Sequence, residues 1–279
     1  MVKSAVRTMD TTSDLADRQL NQKVDKFIVS GGSKHGWTTW LTAVADPRVC
    51  AIAPMVIDML NTSKQMKHQV QSYGKYSDKI QPYTDLDIPD RMDSYEGRRL
   101  MQIVDPYTYR DRMTMPKLVV LGTSDPYWTV DASSFYFGDL PGPRYLYYLP
   151  NAGHGLGVGM MPTLLAFMNA SLNETALPKL DWTAASDWSL KVTLDHPLAS
   201  ATLWQAASPT RDFRKATWPP SAIEGKGQCT VRLDAPKEVY LAYFVQVRLV
   251  GASGLPYDLS TTITVLPDTL PFARADATE

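Results

Sequence analysis

A serine, an aspartate and a histidine follow three separate strand-like runs, as Ser33, Asp125 and His154. A histidine can take the proton of a serine hydroxyl, and a carboxylate hydrogen-bonded to that histidine orients it and stabilises its charged form. Together such side chains could attack a carbonyl carbon and form an acyl-enzyme. The chemistry they indicate is acyl transfer from an ester or an amide.

The segment around Ser33 predicts a sharp turn from a strand into a helix. The run Lys26–Ser30 leads directly into Gly31-Gly32-Ser33-Lys34-His35-Gly36. Such a turn, the nucleophile elbow, exposes the serine hydroxyl above the sheet edge and has the pattern G-x-S-x-G. Here the second glycine stands one place later. The helix that follows would offer the backbone N–H of Lys34 to a developing oxyanion.

Three aspartates could supply the acid. Asp125 lies just beyond the run Lys117–Leu121, where sheets of alternating strands and helices place their sites. We predict Asp125 as the residue that orients the histidine. Asp131, further along the same segment, and Asp58, after another strand-like run, remain alternatives.

His154 is the predicted base because it follows a strand-like run and stands between two glycines. His35 is two residues from Ser33, and such neighbours on a helix do not face each other. We therefore expect His35 to shape the pocket wall. His68 lies in a polar segment and could touch substrate, but we expect it to be solvated. His196 lies in the predicted sandwich, away from the site.

The runs that position these residues predict a doubly wound α/β fold. Continuous apolar runs of this length are typical of parallel strands buried on both faces. The predicted strands cover residues 26–30, 49–57, 117–121 and 145–149, and the predicted helices cover 1–16, 36–45 and 156–172. Strands that alternate with helices favour a parallel sheet covered by helices.

Two other regions differ from this core in composition and in sequence pattern. Residues 61–113 are polar and rich in Tyr and Met, which predicts a cap-like insertion with one helix near residues 94–103. After about residue 177, short alternating runs separated by turn residues predict a β-sandwich. We therefore expect an α/β catalytic domain over residues 1–177, a sandwich over 178–271 and a tail over 272–279.

The overall composition excludes several classes of protein. The net charge of −1 gives no electrostatic signature of nucleic-acid binding. No apolar run is long enough to predict a membrane span. No Cys/His cluster has zinc-site spacing, and we expect neither a metal nor a cofactor. The two cysteines, Cys50 and Cys229, are expected to be free thiols.

Several stretches together resemble the PhoPQ-activated pathogenicity-related protein family. The most specific is Gly-Ser-Lys-His-Gly-Trp-Thr-Thr-Trp-Leu-Thr at residues 32–42. Others are Asp-Pro-Arg-Val at 46–49, Val-Ile-Asp-Met-Leu-Asn at 56–61, Val-Asp-Pro-Tyr-Thr-Tyr-Arg at 104–110 and Arg-Asp-Phe-Arg at 211–214. The resemblance implies an exported α/β-hydrolase with a C-terminal β-sandwich. We expect its substrate pocket to include Gly32, His35, Trp37, Tyr127 and Trp128.

The resemblance also implies strands before the elbow, where this chain has only a predicted helix. Without them, the strand at residues 26–30 would be an open sheet edge, which proteins normally cover. A second oxyanion donor, which usually comes from a loop among those strands, would also be absent. We expect a longer protein, or another polypeptide, to supply them.

Two interpretations follow. The first is an exported serine hydrolase, acting on a small-molecule or peptide ester or amide, whose activity as this chain alone is weak. The second is an exported binding, signalling or structural protein that keeps the fold without turnover. Three N-glycosylation sequons, at Asn61, Asn169 and Asn173, agree with export.

Overall fold

Four parallel strands form the central sheet, in the order β1-β2-β3-β4. They are β1 (Phe27–Gly32), β2 (Val49–Met55), β3 (Lys117–Gly122) and β4 (Arg144–Leu149). The computed structural model describes residues 1–185, 187–197, 199–225, 227–234, 238–251 and 254–273. Each strand matches a run that the sequence predicts, because a strand covered on both faces needs apolar residues throughout.

Helices cover both faces of this sheet. Helices α1 (Val2–Leu20) and α2 (Lys34–Ala45) lie on one face, and α7 (Met161–Leu172) lies on the other. The side chains of β3 show this alternation. Val119 shares a core with Trp40 of α2, whereas Leu118 shares a core with Phe167 of α7. The α/β fold that the sequence predicts is confirmed.

The insertion at 61–113 is more helical than we predicted. It contains α3 (Thr62–Tyr73), α4 (Gln81–Thr84), α5 (Ile88–Arg91) and α6 (Tyr95–Val104). The helix expected near residues 94–103 is present as α6, but the expectation of a single helix was wrong. The sequence conceals α3 because its buried side chains are largely polar, Gln65, His68, Gln69 and Ser72 among them. Such a face leaves no apolar stripe to detect.

The C-terminal part consists of two antiparallel sheets. One contains β7 (Ser200–Ser208), β8 (Pro220–Ile223), β10 (Tyr240–Val250), β11 (Pro256–Ser260) and β12 (Thr264–Leu266), and the other contains β5 (Leu180–Ala184), β6 (Ser189–Leu194) and β9 (Gln228–Arg232). Alternate side chains of β6, β9 and β10 share one core, as in a sandwich. The predicted strand at residues 260–265 is instead the end of β11 and the start of β12.

The sandwich covers one edge of the parallel sheet. At the outer edge of β4, the backbone N–H of Tyr148 donates to Ser260 Oγ (3.1 Å), and Gln246 Nε2 donates to the carbonyl of Tyr148 (3.1 Å). These side chains take the place of a fifth strand, since buried backbone groups need partners. In the described part of the chain, β1 pairs with β2 alone and forms the opposite edge.

The hydrophobic core continues from the α/β part into the sandwich. Trp218 and Phe244 pack with their ring centroids 5.7 Å apart, and Phe244 also packs against Tyr148 of β4 at 5.5 Å. The change from helices and parallel strands to antiparallel strands falls between α7 and β5. The division into two domains at residues 177 and 178 stays a prediction.

Cys50 and Cys229 are both free thiols, the former half-buried and the latter buried. None of the helices in the described ranges could span a lipid bilayer.

Lys117, the first residue of β3, gives a test of this packing through the pH dependence of stability. It is fully buried, and its Nζ donates to the carbonyl of Pro141 (2.6 Å). Burial, with the nearby charge of Arg144, lowers the pKa of Lys117 from 10.5 to about 7. Between these values the unfolded chain binds a proton that the folded chain does not, so the free energy of unfolding should rise with pH, by up to about 1.4 kcal/mol per unit.

Urea unfolding of the Lys117→Met variant should lack this rise between pH 7.5 and about 9.5. Lys191→Met, which changes an exposed lysine of β6, should keep the slope of the unmodified protein. An identical slope in all three proteins would show that Lys117 is charged in the folded state.

Candidate active site

Ser33 occupies a strained turn between β1 and α2. Its backbone has φ 56° and ψ −124°, a conformation that residues with a side chain rarely adopt. The close approach of α2 to the sheet maintains it. A Cβ atom at Gly36 would lie 2.6 Å from Ile57 Cγ2, and one at Gly31 would lie 2.7 Å from the Cβ atom of His35. Gly36, which stands one place later than the second glycine of G-x-S-x-G, is therefore required for α2 to pack this closely on the sheet.

The loops after β3 and β4 bring Asp125 and His154 together. His154 Nδ1 lies 2.8 Å from Asp125 Oδ2, and the other oxygen of Asp125 accepts the backbone N–H of Tyr127 (3.0 Å). The Asp125 side chain is 7% exposed, whereas that of His154 is 26% exposed. The carboxylate thus fixes the imidazole through Nδ1 and leaves Nε2 free for another partner.

Ser33 and His154 line the same pocket, which has a volume of about 310 Å³. The ring of Tyr127 stacks on that of His154 with centroids 4.3 Å apart. Trp37, Tyr127 and Trp128 line the pocket. Ser33 Oγ and His154 are not hydrogen-bonded to each other, and catalytic hydrogen bonds of this kind commonly tighten only in the complex with substrate.

Two of the predicted pocket residues are not on its lining. The backbone turn directs His35 outward, where its side chain is exposed, and Gly32 lies in β1 behind the serine. Lys34 does line the pocket, next to Ser33. As the first residue of α2, it has a backbone N–H without an intrahelical acceptor.

Asp131 belongs to a separate buried cluster. His68 Nε2 lies 3.0 Å from both of its carboxylate oxygens, and Arg211 donates to it at 2.9 Å. Burial alone would raise the pKa of Asp131, but the hydrogen bond and charge of His68 and the guanidinium of Arg211 hold it at about 2. His68 is buried, so the expectation that it is solvated was wrong. Its carboxylate partner lies 63 residues away and could not be seen from local sequence.

Asp58 also differs from Asp125 in its surroundings. It is buried after β2, and burial raises its pKa well above the ordinary value of 3.8, with nearby Asp125 adding to the effect. Of the three aspartates, Asp125 is the one hydrogen-bonded to His154.

The sequence missed the residues that form most of the pocket wall. They come from the insertion and from the loop before it, and include Met59, Met66, Ile80, Met92 and Met101. The abundance of Met in the insertion is the one local signal for this wall. Which methionines turn inward depends on the packing of α3 to α6. Among the described residues, no cluster of three or more His, Cys, Asp or Glu side chains could hold a metal ion.

Residues 1–214 match the family model described as PhoPQ-activated pathogenicity-related protein. The chain belongs to this family. Autocrine proliferation repressor protein A of Dictyostelium discoideum is 28% identical over 98% of this chain, and the match spans 62% of that protein. This member of the PhoPQ-activated family therefore covers less than two thirds of that relative.

Solved structures similar to this PhoPQ-related chain include several α/β-hydrolases. Acetyl xylan esterase 1 from Thermoanaerobacterium is 19% identical, with a TM-score of 0.41 over 58% of this chain and 51% of that one. An acetyl xylan esterase from Paenibacillus is 16% identical, with a TM-score of 0.43 over 63% and 52%. An acylaminoacyl peptidase from Pyrococcus horikoshii is 14% identical, with a TM-score of 0.41 over 55% and 24%. Likenesses this distant carry no argument about substrate.

Two matched substitutions separate the roles of the aspartates. Asp131→Asn removes the buried counter-ion of Arg211, which keeps only the exposed carboxylate of Asp268 at 3.6 Å, and should lower the free energy of unfolding by about 3–5 kcal/mol. Asp125→Asn removes a hydrogen-bonded pair that is partly open to solvent and should cost about 1 kcal/mol. Urea unfolding at pH 7 measures both. Equal losses would contradict the assignment of Asp131 to the structural cluster.

Proposed function

We propose that this protein is a serine hydrolase that cleaves an ester or amide through an acyl-enzyme, with Ser33, His154 and Asp125 as nucleophile, base and acid. The observation that supports this most strongly is the hydrogen bond from His154 to buried Asp125. It leaves the second imidazole nitrogen in the pocket that also contains Ser33. The strained turn at Ser33 is a further support, since such backbone strain is concentrated at functional sites.

In the proposed reaction, His154 Nε2 takes the proton of Ser33 as Oγ attacks the carbonyl carbon. The tetrahedral intermediate collapses, and the imidazolium gives that proton to the leaving alcohol or amine. Water then repeats the sequence on the acyl-enzyme and releases the acid and Ser33. Asp125 orients the imidazole and stabilises the imidazolium in both halves. The backbone N–H of Lys34, at the N-terminus of α2, donates to the oxyanion.

Full activity would also need a second oxyanion donor, which in this fold comes from a loop between earlier strands. The free edge of β1 is where such strands would pair. We propose that further polypeptide supplies both, either as part of a longer protein or as a separate chain. The donor is worth on the order of 10²–10³ in kcat.

A fluorophosphonate probe, which modifies activated serines, tests the nucleophile. In the protein isolated from the cells that produce it, labelling should map to Ser33. In variants it should be abolished by Ser33→Ala and slowed by about 10⁴-fold or more in His154→Ala, since both residues act as a unit. Ser4→Ala, an exposed serine of α1, should label normally. Labelling elsewhere, or undiminished labelling of His154→Ala, would contradict the proposal.

The need for further strands is tested by comparing turnover of a short neutral ester. The isolated 279-residue chain should have a kcat on the order of 10²–10³ lower than the protein isolated from its source. Circular dichroism of the isolated chain verifies that it is folded. Equal kcat values would show that the chain needs no further donor.

A second candidate function is binding or signalling without turnover. It is favoured by the relative named as a proliferation repressor. Export is proposed for either function. Asn169 and Asn173 are exposed and could carry glycans, whereas the Asn61 side chain is partly buried and donates to the carbonyl of Phe135 (3.1 Å).

A further inference from the structure

The pocket beside Ser33 has an aliphatic wall. Four methionines line it, Met59, Met66, Met92 and Met101, together with isoleucine, leucine and valine side chains from α5, α6 and the loop after β2. Methionine side chains are unbranched and polarisable, and they adapt to the shape of an apolar guest. The polar side chains of the lining, Thr62 and Tyr83 among them, are outnumbered by apolar ones. A polar group placed against the methionines would lose its hydration without finding partners, so the part of the occupant that lies there must be apolar.

The charged side chains that line the pocket are both lysines. They are Lys34, beside the nucleophile, and Lys79, between α3 and α4, and the lining contains no aspartate or glutamate. Both lysines are exposed at the pocket mouth. In the described part of the chain, neither forms an ion pair with a carboxylate, whereas nearby Lys75 pairs with Asp78 (3.0 Å). The mouth therefore favours an anionic group over a cationic one.

We propose that the substrate is an aliphatic ester that carries an anionic group, with its hydrocarbon chain against the methionines and its charge near Lys79. This inference rests on the proposed function, because it takes Ser33 as the attacking residue. It goes further by naming the class of group that the pocket selects. The insertion at 61–113 then acts as the specificity element, since it supplies Lys79 and most of the wall.

The first experiment varies the length of the hydrocarbon chain, using fluorophosphonates with n-alkyl groups from ethyl to octyl. Their reaction with Ser33 is a single covalent step, so it reports on the pocket even where deacylation is slow. The second-order labelling rate should rise about fourfold per added methylene over the first few carbons, because each buried methylene contributes to binding. Rates that are flat or fall with length, while the ethyl probe still labels Ser33, overturn the aliphatic assignment and leave the proposed nucleophile intact.

Substitutions at Met101 locate the chain in the pocket. Met101→Trp should slow labelling by the octyl probe about tenfold and by the ethyl probe less than about twofold, since only the longer chain needs the filled space. Met101→Ala should shift the optimum to longer chains. Leu20→Trp, on the exposed end of α1, is the matched control. If the tryptophan variant does not fold, an unchanged optimum in Met101→Ala overturns the proposal by itself.

A second experiment varies the charge of the substrate. It compares three p-nitrophenyl esters of equal chain length that end in a carboxylate, a methyl or an ammonium group. The carboxylate ester should have the highest kcat/KM and exceed the ammonium ester by about tenfold at low salt. Lys79→Glu should reverse the order, and Lys75→Glu, outside the lining, should not. An unchanged order in Lys79→Glu overturns the anionic assignment. Failure of every fluorophosphonate to label Ser33 would overturn the proposed function as well.

Discussion

The buried carboxylate of Asp131 connects three parts of the chain that are far apart in sequence. It contacts His68 on α3 of the insertion and Arg211 on the loop between β7 and β8 of the sandwich. Asp131 itself lies on the connection from β3 to β4, which also contains Asp125. A buried charge of this kind is stable only when its partners are in place. The position of the insertion over the active-site pocket therefore depends on the sandwich being folded.

The same arrangement explains why two aspartates six residues apart differ in role. Asp131 is enclosed by the imidazole of His68 and the guanidinium of Arg211 and serves the packing. Asp125 has one carboxylate oxygen on a backbone N–H and the other on a histidine that reaches the pocket. A carboxylate that orients a partly exposed histidine can support proton transfer, whereas one neutralised by a buried guanidinium cannot.

The two edges of the central sheet differ in whether other parts of the chain cover them. At β4, Ser260 and Gln246 supply the hydrogen bonds that a neighbouring strand would make, so the sandwich closes that edge. At β1, the described chain provides no such cover. Ser33 follows β1 directly, so whatever pairs with this edge would also lie next to Ser33. Activity and the covering of the edge are for this reason linked in the proposed function.

Local sequence was sufficient for the four parallel strands, for α2 and for the loops that contain Ser33, Asp125 and His154. Continuous apolar runs and glycine-rich turns act over a few residues and need no distant partner to be recognised. It did not reveal α3, whose buried polar side chains look like those of an exposed segment. Nor did it decide between Asp125 and Asp131, exclude Gly32 and His35 from the pocket lining, or identify the methionine wall. Those outcomes depend on contacts between residues tens of positions apart, and only the packing of insertion, sheet and sandwich brings those residues together.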